Sequence, residues 1–185
     1  MRDFSNDHSA LALNTATLGH NIDGHGAGWS PERVIDACAE RGYGGIVFWR
    51  REIGSRAAEI GERVRAAGMQ VVGLCRTPYL TGRDAGSDDE VRASIDMAAG
   101  LGAPVLTIVT GGTQPDSKGI LDSQKRLADR VARIAGYAAE RGVALALEPL
   151  NPMFGGNRTC IFTVADALAV CDAVGAENLG VAVDV

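Results

Sequence analysis

Along this chain six apolar, strand-like runs are separated by segments carrying helix start and stop signals. That alternation restricts the fold more than any single motif does. The runs are ALALNTA from Ala10, GIVFW from Gly45, MQVVGLC from Met69, PVLTIVT from Pro104, VALALE from Val143 and LGVAVDV from Leu179. They are rich in β-branched and aliphatic residues and do not alternate with polar ones, as in strands covered on both faces. Ser30 followed by Pro31 is a cap and a preferred first helical residue, Val34, Ile35 and Cys38 share one face, and Gly42 supplies a left-handed stop. Ser87 with Glu90 forms a capping box ahead of Val91 and Ile95. Leu127, Val131, Ile134 and Ala138 make an amphipathic stripe closed by Gly142, and Thr163 opens a last helix expected to carry Leu168 and Cys171 inward. A less sharply marked helix spans roughly Ser55 to Ala67.

Strand–helix alternation of this kind implies a parallel sheet with right-handed crossovers. It fits either an open doubly wound sheet or a closed barrel of eight βα units. No nucleotide fingerprint supports the open sheet: the glycines of Gly24–Gly28 do not fit G-x-G-x-x-G and read as a flexible loop. With 185 residues and 46% hydrophobic content the chain can bury a core as one domain over residues 1–185. The formal charge of −5 is spread without a basic run, which disfavours nucleic acid as a partner. The N-terminus is polar where a signal peptide needs an apolar core, and no apolar run reaches membrane-spanning length, so the expectation is a cytoplasmic protein that does not engage a membrane. Cys38, Cys75, Cys160 and Cys171 show no Cys-x-x-Cys spacing and read as buried free thiols.

In a βα barrel the residues at the carboxyl ends of the strands form the active site. Glu148 ends the fifth run, with Pro149 stopping the ladder, and Asp184 holds the equivalent place on the sixth. Two carboxylates from neighbouring strand ends suit a divalent cation. Either acid alone could equally be a helix cap or a salt-bridge partner, and two ligands fall short of a complete catalytic site. Arg50 and Arg76 follow the second and third runs, where a guanidinium suits a carboxylate or phosphate; each alone could be a rim ion pair. Trp49 is either a pocket wall or core packing, and Asn14 either a hydroxyl contact or a turn former. Asn151 and Arg158 lie on the loop after Glu148, where this fold carries binding groups. Thr110–Thr113 reads as a glycine turn ahead of a phosphate cradle, and His8, His20 and His25 show no metal-ligand spacing.

Glu148 in LALEPLNPM and Asp184 in GVAVDV, with LNTAT from Leu13, FWR from Phe48 and GLCR from Gly73, resemble the sugar phosphate isomerase/epimerase family of xylose isomerase-like TIM barrels. The resemblance covers essentially the whole chain. It implies an α/β fold of (β/α)8 type, here about six βα units with the C-terminal part missing, since the chain stops at Val185 inside the sixth run. It further implies a divalent cation, manganese or magnesium first and cobalt or zinc next, held by a glutamate, an aspartate, a histidine and a second glutamate on successive strands. Only Glu148 and Asp184 map onto that set, and relatives more often carry histidine at the Asn151 position. The implied activity is a metal-dependent isomerase or epimerase of a sugar, sugar phosphate or related hydroxy-carbonyl compound, with Glu148 as ligand and base in enediolate proton transfer. Two other readings stand beside it: a dehydratase of a polyol ketone on the same scaffold, and a non-catalytic small-molecule-binding or inactive fragment. The substrate expected is a small carbohydrate, with an anionic group suggested by Arg50 and Arg76, and homo-oligomers are usual in such relatives.

Overall fold

The computed structural model describes residues 3–19 and 25–184, so His20 and Val185 lie outside the described residues. The chain divides into two compact units, Met1–Cys75 with Met97–Pro104, and Arg76–Asp96 with Val105–Val185.

The first unit holds β1 (Ala12–Asn14), a 3₁₀ turn (Thr15–Leu18), α1 (Pro31–Glu40), β2 (Gly45–Trp49), α2 (Arg50–Ile53), α3 (Ala57–Ala66) and β3 (Gln70–Cys75). β1 pairs parallel with β2 and β2 with β3, setting Asn14 opposite Val47 and Trp49 opposite Cys75. α1 starts where the sequence indicates: the Ser30 hydroxyl accepts from the Arg33 N–H, and Pro31 needs no partner for an N–H it lacks. Val34, Ile35 and Cys38 turn inward and join Ile46, Phe48, Ile60, Val64 and Leu74 in the core.

Two local departures from the sequence expectation occur in this unit. The run from Ala10 stays extended only over Ala12–Asn14, because the Asn14 side chain accepts the Ala16 N–H and turns the chain into the 3₁₀ segment. The region after β2 holds two helices rather than one, since a single turn, α2, precedes Gly54 and the capless start of α3.

The second unit holds β4 (Val105–Ile108), α5 (Ile120–Glu140), β5 (Ala144–Leu147), a 3₁₀ turn (Pro152–Phe154), α6 (Val164–Val174) and β6 (Leu179–Val181), while α4 (Asp88–Leu101) contributes to both units. β4 pairs parallel with β5 and β5 with β6. The α4 capping box forms in both directions, Ser87 N–H to Glu90 Oε2 at 2.7 Å and Glu90 N–H to Ser87 Oγ at 3.2 Å. Along α5, Leu127, Val131, Ile134 and Ala138 are all fully buried. Each of the three larger side chains contributes about 1.5–3 kcal/mol of burial.

α6 corrects one expectation. Its Thr163–Asp166 capping box is present, but Ala167 and Val170 face inward, Cys171 is half-buried, and Leu168 is 50% exposed. Leu168 stands one residue, about 100° of helical turn, from Ala167. The α/β class, with parallel strand pairs and helices between successive strands, is as the alternation predicts. No helix among the described residues is long and apolar enough to cross a membrane.

Candidate active site

The second unit builds its charged cluster on ladder ends. The Thr77 N–H bonds the Thr107 carbonyl at 3.1 Å on one flank of β4, and the Glu148 N–H bonds the Ile108 carbonyl at 3.0 Å on the other. Arg76 and Glu148 therefore flank the carboxyl end of the same strand. Beyond β6, Ala182 N–H continues the pairing to the Leu147 carbonyl at 2.8 Å, which brings Asp184 to that end as well.

Glu148 is half-buried, and its carboxylate has no hydrogen-bond or ion-pair partner among the described residues. Burial pushes the Glu148 carboxyl up from its ordinary value; the Asp184 charge adds to this, and Arg158 and Arg76 oppose it. Four of the residues singled out in the sequence thus share one electrostatic neighbourhood. Glu148 and Asp184 present hard oxygen donors of the kind a divalent cation takes, with Arg76 and Arg158 near enough to offset part of their charge. No group of three or more His, Cys, Asp or Glu side chains among the described residues could hold one.

The two arginines are placed by aromatic rings. The Arg76 guanidinium lies 4.2 Å from the Tyr79 ring centroid and donates to the Thr77 carbonyl at 3.2 Å. The Arg158 guanidinium lies 4.6 Å from the Phe154 centroid, and the Arg158 backbone N–H donates to the Phe154 carbonyl at 3.1 Å. The loop that presents it is closed at the neck by Leu150 N–H to the Ile161 carbonyl at 3.2 Å. Asn151 on this loop is exposed, and its side-chain oxygen accepts from the Met153 N–H at 3.0 Å, capping the 3₁₀ turn.

Thr110–Thr113 serves packing. A Cβ on Gly111 would lie 2.1 Å from the Thr81 carbonyl oxygen, and one on Gly112 would lie 2.0 Å from that of Gly156. The glycines allow the loops after β3, β4 and β5 to touch through backbone, and the Thr110 hydroxyl accepts from the Cys160 N–H at 3.1 Å. Cys38, Cys75 and Cys160 are buried free thiols as the sequence indicates, and burial pushes the Cys160 thiol up, away from reactivity.

In the first unit, Asn14 Oδ1 accepts from the Ala16 N–H at 3.0 Å and from Trp49 Nε1–H at 3.1 Å, so the turn former also fixes the indole. Arg50 opens α2. Glu52, which the sequence reading passed over, accepts from the buried Thr15 hydroxyl at 2.9 Å. Its signal was present in FWRRE, an acid three residues past Trp49 on a helix too short for periodicity to show. His8 bonds the Arg41 carbonyl through Nδ1 at 2.8 Å and packs on Tyr43, a structural role.

Residues 35–185 match the model of the xylose isomerase-like TIM barrel family. Among solved structures the chain is similar to protein SMc04130 from Sinorhizobium meliloti 1021, with 32% identity and a TM-score of 0.79 over 94% of this chain and 62% of that one. A D-psicose 3-epimerase solved in the presence of D-fructose is similar at 19% identity and a TM-score of 0.69, over 92% of this chain and 61% of that one. An IOLI protein with a bound zinc atom is similar at 16% identity and a TM-score of 0.71, over 92% and 60% of the two chains. The last two likenesses are of fold alone. The chain spans about three-fifths of the length of each of these structures. No curated protein matches it. With the family model covering most of its length, the chain belongs to the xylose isomerase-like TIM barrel family.

Proposed function

We propose that the strand-end cluster around Glu148 transfers a proton on a small hydroxy-carbonyl sugar, interconverting isomers or epimers with the help of a divalent cation. The observation that carries this reading is the half-buried Glu148 carboxylate at a strand end, which has no hydrogen-bond or ion-pair partner among the described residues and feels the charge of Asp184. A positioned carboxylate with no partner can accept a proton from substrate. Glu148 takes the proton from the carbon next to the carbonyl, and the C–H electron pair moves into the new carbon–carbon double bond as the carbonyl electrons move onto oxygen. Returning the proton to the former carbonyl carbon, as the neighbouring hydroxyl's proton passes to the negative oxygen and a new carbonyl forms in its place, gives the isomer; returning one to the opposite face of the original carbon gives the epimer. Glu148 and Asp184 would hold a manganese or magnesium ion, which supplies Lewis acidity to the substrate oxygens. A sugar epimerase and a zinc-binding protein among the similar folds support the same scaffold use.

Incubation with Mn²⁺ and a ketose in deuterated water tests this. Deuterium should enter at the carbon beside the carbonyl, followed by NMR, and Glu148→Gln should abolish it. Exchange that persists in Glu148→Gln overturns the assignment. A product lighter by one water would instead identify the dehydratase, and cation uptake without exchange a binding protein.

A further inference from the structure

We propose that Arg76 and Arg158 clamp an anionic group of the substrate, a carboxylate or a phosphate, so that this site selects an acidic sugar over a neutral one. The inference deepens the function proposed above and rests on it. Both guanidiniums are half-buried and have no acidic side chain in ion-pair contact among the described residues. Other arginines of the unit do pair, Arg126 with Asp116 and Asp122, Arg130 with Asp88, and Arg141 with Asp96. Arg76 and Arg158 are held instead by the faces of Tyr79 and Phe154, contacts that fix the guanidinium plane without neutralising it.

Their positions are set by the ladder. Arg76 precedes Thr77, bonded to β4, and the Arg158 carbonyl accepts the Gly111 N–H at 3.0 Å just past the end of the same strand. Glu148, bonded to Ile108, completes the group. The local charge then decides the ligand. Glu148 and Asp184 offset Arg76 and Arg158, so a divalent cation on the carboxylates leaves an excess of two positive charges beside forks shaped for bidentate oxyanion binding. A neutral ketose leaves that excess uncompensated; a carboxylate or phosphate removes it.

The test uses the whole chain, first titrated calorimetrically with Mn²⁺ alone and then, with Mn²⁺ present, with D-fructose, D-fructose 6-phosphate and a six-carbon keto-aldonate. At least one anionic sugar should bind about tenfold or more tightly than D-fructose, and which one it is separates phosphate from carboxylate. Arg158→Gln and, separately, Arg76→Gln should erase that preference, and each variant should still take up Mn²⁺ in the first titration, which shows that it folds. If Mn²⁺ binds and all three sugars bind alike, or if the preference survives in both variants, the clamp is overturned and the metal-site reading stands. If Mn²⁺ does not bind, the metal-site reading fails, and the clamp with it.

Discussion

Asp184 acts on Glu148 through space: burial lifts the Glu148 carboxyl, and the aspartate charge lifts it further against the pull of Arg158 and Arg76. A carboxylate whose ionisation is disfavoured by burial and by a neighbouring charge weakens the fold at the place where chemistry is proposed.

That cost gives a pH signature. The folded Glu148 pKa lies above its ordinary value of 4.5, so its contribution to stability is present below that value and is lost as pH rises through the folded pKa. In metal-free protein, Glu148→Gln should therefore melt at a higher temperature than the wild type near neutral pH, and the difference should vanish below 4.5. Calorimetry across that range checks it; a variant that melts lower near neutrality contradicts it.

Glu32 gives the opposite sign. Its hydrogen bond with Arg56, then its own backbone and Ser30, hold the Glu32 carboxyl down from 4.5 to about 2. The stabilisation is present above 4.5 and is lost as pH falls through about 2. Glu32→Gln should lower the urea midpoint at neutral pH, and the gap should close as pH drops into that window.

Gly111→Ala should disrupt the loop packing. The residue has φ +90°, and its new Cβ would meet the Thr81 carbonyl oxygen at 2.1 Å. A loss of at least about 2 kcal/mol is expected from denaturant unfolding. A loss below about 0.5 kcal/mol, the range of neutral surface changes, would show that the loops can part freely.

Leu127→Ala removes a fully buried side chain from the α5 stripe and should cost about 2–5 kcal/mol. The parallel change Leu121→Ala, at a position 81% exposed on the same helix, should stay within about 0.5 kcal/mol. Equal effects would contradict the assigned core face.

Much of the fold was legible because its signals are local. Ser30–Pro31, the Ser87 and Thr163 capping boxes and the α5 stripe each settle an element by short-range chemistry. The misses have physical reasons of their own. Asn14 ends β1 through a side-chain bond to Ala16, which composition does not display. α2 is one turn long, so it has no period to read and hides Glu52. α6 is apolar nearly all round, so Leu168 could not be told from an inward residue until Ala167 and Val170 were seen to carry the packing. Within the site, the proximity of Arg158 to Glu148 depends on the closed loop after β5, a relation no spacing reveals.

Mn²⁺ binding followed by the loss of the free-ion electron paramagnetic resonance signal tests the central claim most directly. Glu148 and Asp184 together should draw the ion from solution, and Glu148→Gln or Asp184→Asn should each leave it free at the same concentration. Uptake that is unchanged in both variants would contradict the assignment of these two carboxylates to a cation site.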